Sequence, residues 1–203
     1  RKPHAWAVDE VPVAFWAWRT QSPDQSDIRA AIEKTRTRTL FLRAGQIDYH
    51  NGEVKRIRPL AGSFPKEIKL HLVYNATRPL LEQLETVEPK TIATEIARAY
   101  HDDAKRAQAD GADVSGVQLD IDVPTRLLTR YETTLTALRK EIPSGQQLSI
   151  TGLPTWMESP ALAGVLKRVD FWIPQVVCAE APPRPDHTGP ISFAESLHRF
   201  FNQ

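Results

Sequence analysis

The sequence predicts an α/β fold of the (β/α)8 TIM-barrel-like kind, truncated or incomplete, with about six recognisable strands. Three observations carry that expectation. Short β-branched or aromatic runs alternate with amphipathic helical patterns along the chain, which means a mostly parallel sheet covered by helices. No glycine-rich phosphate turn follows an early strand. Neither G-x-G-x-x-G nor G-x-x-x-x-G-K-[ST] occurs, and the first strand runs into "WAWRTQSPDQ" instead, which counts against an open nucleotide-binding sheet. Finally, a full barrel takes about 250 residues. At 203 residues the chain is expected to be one barrel domain over 1–203 that lacks the last two strands.

The strands are read in order as Val11–Trp18, Thr39–Ala44, Ile68–Asn75, Gly116–Asp122, Leu148–Leu153 and Val169–Val177, each bounded by turn residues. Helices fill the intervals. Ile28, Ala31 and Ile32 recur at helical spacing, as do Ile92, Ile96, Ala99 and Tyr100 before the turn at Gly111. The clearest stripe is Leu127, Leu128, Tyr131, Leu135, Leu138 and Ile142, opened by Pro124 and closed by Pro143. Leu162, Val165 and Leu166 mark a shorter helix. After a proline-rich loop, Ala181–Pro190, Phe193, Leu197, Phe200 and Phe201 mark a last one. No repeat and no linker divides the chain.

A 41% hydrophobic share and 25% charged residues suit a globular protein with a real core. The net charge of +1 supplies no field for nucleic acid. A single cysteine, Cys178, makes no internal disulfide. That fits cytoplasm and fits equally a disulfide-free exported protein. No run approaches the length of about eighteen apolar residues that a membrane span needs. No signal peptide is visible; the chain starts at Arg1 rather than methionine, which leaves room for an export signal cut away upstream and leaves cytoplasm open as well.

One stretch resists a purely structural reading. In "SGVQLDIDVPT" two aspartates sit in an apolar run. Residues two apart on a strand share a side. Gln118, Asp120 and Asp122 therefore share one face, and Val117, Leu119 and Ile121 the other. The apolar face packs on helices, and the polar face points into the barrel, with Asp122 at the strand end that forms the mouth. Two structural alternatives stand beside this: Asp122 as an N-cap of the helix at Pro124, and Asp120 paired with a lumenal Arg43.

"GVQLDID" resembles the fourth-strand signature D-x-x-D-x-D-x-E of family 18 glycoside hydrolases, the chitinase-like barrels. Asp120 falls on the middle aspartate of D-x-D-x-E, Asp122 on the acid glutamate, and Gln118 replaces the preceding aspartate. "SGVQLDIDVPTRLLTRYETTLTALRKEIP", "LSITGLPTWM" and "VDFWIPQVV" together resemble a bacterial family known as domain of unknown function 3142, whose members look like glycoside-hydrolase-like barrels.

These resemblances imply a carbohydrate substrate in the bacterial envelope or outside the cell, and a periplasmic or extracellular location. They imply Asp122 as general acid, assisted by Asp120, with no cofactor. A 2-acetamido group on the sugar would then act as internal nucleophile. Around that pair the candidate substrate-binding residues are Gln118, Trp16 and Trp18 at the end of strand one, Arg43, Tyr74, Trp156 after strand five, and Gln175 after strand six. The six histidines show no H-x-x-x-H or H-E-x-x-H spacing, so no zinc site is expected, and "HDD" at His101–Asp103 reads as solvated helix surface. Cys178 has no identifiable partner histidine and reads as an inert thiol. No G-x-S-x-G elbow occurs. Two rival functions remain: a saccharide-binding barrel without catalysis, and a transferase whose "DID" holds a divalent cation.

Overall fold

The computed structural model describes residues 13–175. The elements run β1 (Ala14–Ala17), α1 (Gln25–Thr35), β2 (Thr39–His50), β3 (Glu53–Ile57), β4 (Lys69–Ala76), α2 (Arg78–Glu82), α3 (Pro89–Ala109), β5 (Asp113–Asp120), α4 (Leu128–Glu141), β6 (Gln147–Gly152), α5 (Leu162–Leu166) and β7 (Phe171–Pro174). Six strands pair in parallel in the order β1-β2-β4-β5-β6-β7. Spatial order follows chain order, so the sheet has no switch point of the kind that defines doubly wound folds.

The sheet is curled. The ring of Phe171 on β7 lies 6.4 Å from that of Phe41 on β2. Four strand steps separate the two, about 19 Å in a flat sheet. Only strong curvature brings them together, and the six strands form a half-barrel with a concave and a convex face. Leu40, Leu42, Leu70, Leu72, Val117, Leu119, Leu148 and Ile150 alternate with the concave-face residues and join one core with Ile92, Ile96, Tyr100, Leu135 and Leu138 of the helices. Burying each such side chain contributes about 1.5–3 kcal/mol.

All six expected strands and the first four expected helices are present over the described residues. Cys178, the loop Ala181–Pro190, the helix of Phe193–Phe201 and the outer ends of the first and last strands lie outside them. Three local differences have physical causes. The second strand continues past Ala44 to His50 and turns back as β3. Its turn is Asn51-Gly52, with φ of 51° and 83°, the left-handed pair that a two-residue hairpin demands. The short α2 is capped by the Thr77 hydroxyl, which accepts from the Leu80 amide. The fourth parallel strand ends at Asp120 rather than Asp122. There the Val123 amide donates to the Ile121 carbonyl at 2.7 Å, a three-residue turn that lifts the chain out of the ladder with Asp122 at its centre.

One buried charge fastens the hairpin to the helical layer. Asp103 on α3 is fully buried, not solvated as its neighbours suggest. It accepts from the Tyr74 hydroxyl at 2.9 Å, from Arg106 at 3.1 Å and from Arg56 of β3. The Arg56 backbone amide donates in turn to Glu95 at 2.6 Å. Burial, with the Asp103 charge beside it, holds the Tyr74 phenol well above its ordinary pKa. Replacing Asp103 with alanine leaves Arg56 uncompensated and is expected to cost about 3–5 kcal/mol. Tyr74→Phe, which removes one hydrogen bond to a charge, is expected to cost about 1.5–3 kcal/mol. Urea denaturation of the two variants checks both values. An Asp103→Ala midpoint equal to wild type would contradict the assignment.

Candidate functional site

Period-two alternation places Trp16, Phe41, Arg43, His71, Asn75, Gln118, Asp120, Ser149, Thr151 and Phe171 on the concave face. An aromatic floor lies at its base. Trp16 stacks on Phe41 with centroids 4.4 Å apart, Phe41 meets His71 at 4.9 Å, and His71 meets Phe171 at 5.6 Å. Gly116 makes room for this floor. A Cβ there would stand 2.9 Å from His71 Cε1 and 2.5 Å from the Gln147 carbonyl oxygen. Burial pushes the His71 imidazole down to about 4, so it is neutral near pH 7.

Above the floor, Gln118 is fully buried. Its carbonyl oxygen accepts from Trp16 Nε1 at 2.9 Å, and its amide donates to Ser149 Oγ at 3.3 Å. The amide is thereby a crosspiece between β1 and β6.

The carboxylates come next. Asp120 Oδ1 accepts from Thr151 Oγ1 at 2.6 Å and from Gln175 Nε2 at 3.2 Å. The same Gln175 nitrogen donates to Asp122 Oδ1 at 3.1 Å. Asp122 is exposed and Asp120 half-buried. Burial raises the Asp120 pKa and the Asp122 charge raises it further, while the bonds from Thr151 and Gln175 act in the opposite sense. Neither alternative for these aspartates matches the geometry. Asp122 makes no side-chain cap to the turn at Thr125–Leu127. Arg43 bonds to Asn75 Oδ1 at 3.1 Å and to the Trp18 carbonyl at 3.3 Å, not to Asp120.

The nine sequence-derived residues therefore divide. Asp120, Asp122 and Gln175 form one hydrogen-bonded group, with Gln118 and Trp16 directly beneath it. Arg43 sits on the same face, and Trp18, 46% exposed, follows the end of β1. Two residues are corrected. Tyr74 shares the parity of Leu70 and Leu72 and is fully buried against α3, so it faces away from the site. Trp156 is also fully buried, with its ring edge-on to Tyr131 at 5.9 Å. Its indole nitrogen donates to the Val123 carbonyl at 2.8 Å, so it braces the turn that carries Asp122 rather than a sugar. Thr151 and His71 were not anticipated. The alternation of Ser149 and Thr151 with Leu148 and Ile150 is the signal that marks Thr151 as inward-facing.

The clefts lined by Leu84, Ile92 and Tyr131 and by Arg139, Lys140 and Lys167 have neither Asp120 nor Asp122 in their walls. Among the described residues, no group of three or more His, Cys, Asp or Glu side chains is placed to hold a metal ion. No described helix is long and apolar enough to cross a membrane.

Two titrations follow with opposite signs. A raised folded pKa at Asp120 means its contribution is fully present below the ordinary aspartate value and is lost as pH rises through the folded value. Carboxyl-carbon NMR is expected to show Asp120 titrating above ordinary aspartate, lower in Asp122→Asn and higher in Thr151→Val. An unchanged value in Asp122→Asn would break the coupling. His71 is depressed, so its contribution is present above its ordinary value of about 6.5 and lost as pH falls toward about 4. The loss amounts to about 3 kcal/mol. Urea midpoints measured between those two pH values are expected to fall accordingly, and to fall less in His71→Gln.

No curated protein and no solved structure gives a significant match to the chain. The model of one protein family, Domain of unknown function (DUF3142), matches residues 76–189. That span covers β5, the Asp120–Asp122 turn, β6 and β7, and it is more than half of the chain. The chain with this bridged carboxylate pair thus belongs to the DUF3142 family.

Proposed function

We propose that the protein is a glycoside hydrolase acting on a bacterial envelope or extracellular polysaccharide, in a periplasmic or extracellular setting. In this reading the half-barrel is the first six strands of a (β/α)8 barrel, and Asp122 is the general acid, assisted by Asp120. The observation that carries it is the Gln175 amide bonded to both carboxylates beyond the C-terminal end of the fourth parallel strand. Active sites of parallel barrels lie at that end.

Glycoside hydrolysis requires one carboxyl group that carries a proton and one that carries charge, and in this reading a bound sugar that desolvates Asp122 draws the pair's proton from Asp120 to Asp122. Asp122 is exposed and reaches a substrate directly. Asp120 is partly desolvated and holds its proton to higher pH than an ordinary aspartate. Their charges oppose each other, so the pair as a whole favours keeping one proton. In the proposed step Asp122 gives a proton to the glycosidic oxygen as the bond from that oxygen to the anomeric carbon breaks. Where the sugar carries a 2-acetamido group, its carbonyl oxygen forms the new bond to that carbon, and water later opens the intermediate. Asp120 meanwhile supplies negative charge beneath the positive centre.

One observation favours a second reading, a saccharide-binding barrel without turnover. Gln118 stands where the resemblance has an aspartate, and it is buried with both ends of its amide bonded. That position therefore contributes structure and no charge. The cation-holding transferase has less support, because the two aspartates belong to no larger group of metal ligands among the described residues.

Release of reducing ends from bacterial polysaccharides decides between these. Asp122→Asn is expected to lower turnover at least about 100-fold, with the thermal transition unchanged. Asp120→Asn is expected to move the alkaline limb of the pH profile. Saccharide binding without turnover, equal in wild type and Asp122→Asn, selects the second reading. Full activity in Asp122→Asn ends the first.

A further inference from the structure

Arg43 is a half-buried cation on the concave face, and it makes no ion pair among the described residues. Both of its hydrogen bonds go to neutral oxygens, Asn75 Oδ1 and the Trp18 carbonyl. Burial and the nearby Arg58 charge both act against its protonated form. Nine ion pairs hold eight of the described arginines, from Arg29–Glu67 to Arg168–Glu132; Arg43 and Arg58, like Arg19, Arg36, Arg38 and Arg130, are not among them. A partly desolvated cation on the concave face, with a second positive charge near it and no ion pair, is better accommodated when an anion neutralises it.

The location says which anion. Asn75, which accepts from Arg43, is the register partner of Asp120. Arg43 itself pairs with Val73, which pairs with Gln118, so it lies two strands across and one side-chain row below Asp120 on the same face. Trp18, whose carbonyl Arg43 also holds, is exposed beside it, and an indole face suits a sugar ring.

We propose that Arg43, with Arg58, binds an acidic group on the saccharide, a carboxylate or sulfate carried by a sugar next to the one at Asp122. The inference rests on the saccharide reading above and narrows its substrate class to anionic sugars. The planar guanidinium recognises such groups through paired N–H donors. Gln, which offers one amide, does not.

Calorimetric titration of the full chain carrying Asp122→Asn, which blocks turnover, tests this with three probes. They are a galacturonate trisaccharide, a sulfated galactose trisaccharide and the neutral galactose trisaccharide. An acidic probe is expected to bind about 10–100-fold more tightly than the neutral one, and which acidic probe wins identifies the group. Arg43→Gln is expected to remove that preference by weakening acidic-probe binding about 10–100-fold more than neutral-probe binding, with Arg43→Lys restoring part of it. Arg58 is exposed, so Arg58→Gln lowers the preference without threatening the fold. Equal binding of all three probes overturns the proposal, as does a preference that survives Arg43→Gln in a folded variant. Binding of none of them also overturns it. In those cases Asp122-dependent turnover of a neutral polysaccharide still upholds the hydrolase reading.

Discussion

A side-chain amide buried in the middle of a sheet must be bonded at both ends, and Gln118 meets that demand only because the sheet is curled. Its partners lie on β1 and β6, three strands to one side and one to the other. In a flat sheet the indole of Trp16 would be about 14 Å away. An amide left unbonded there would cost about 1–3 kcal/mol. Curvature, the aromatic floor and the polar crosspiece therefore require one another. The Trp16–Phe41 stack sets the angle at which the indole nitrogen meets Gln118, and the Phe41–Phe171 contact carries the curl on to β7.

From that crosspiece upward the environment grades from dry to wet over a few residues. His71 at the floor is held neutral, Gln118 is neutral by nature, Asp120 is half-buried, and Asp122 is in solvent. Each step outward along β5 admits more charge, as the cost of desolvation falls. Hydrogen bonds from Thr151 and Gln175 favour the ionised form of Asp120 against the burial that opposes it. The pair is thus asymmetric with no arginine hydrogen-bonded to either carboxylate among the described residues.

Much of this was legible in the sequence. Period two in "QLDID" correctly put Gln118 and Asp120 on one face, because the alternating Val117, Leu119 and Ile121 were plainly apolar. The strand "KLHLVYNA" offers no such contrast. Both of its faces are buried, so composition does not show which face is the inner one, although period two already groups Tyr74 with Leu70 and Leu72 and apart from His71 and Asn75. Asp103 was misread for a different reason. It lies in phase with Ile92, Ile96, Ala99 and Ala107 on the buried stripe of α3, and only the assumption that charges face water hid it. The hairpin was readable from Asn51-Gly52 alone. The turn at Asp122 was not, since it depends on a Trp156 bond formed across thirty-three residues of chain.

That last bond fixes where the Asp122 carboxylate stands. Asp122 is not a ladder residue, and so its reach is set by the turn as well as by its side chain. Val123 is pinned by the indole of Trp156, which is itself packed on Tyr131 of α4. The Asp122 carboxylate is tied from the other side by Gln175, whose backbone amide is in turn held by the Gly152 carbonyl at the end of β6. The exposed acid is therefore gripped by two neighbouring elements while keeping its face to solvent. A site on a rigid strand end needs less side-chain length, and loses less side-chain entropy on ordering, than one that depends on a long flexible carboxylate.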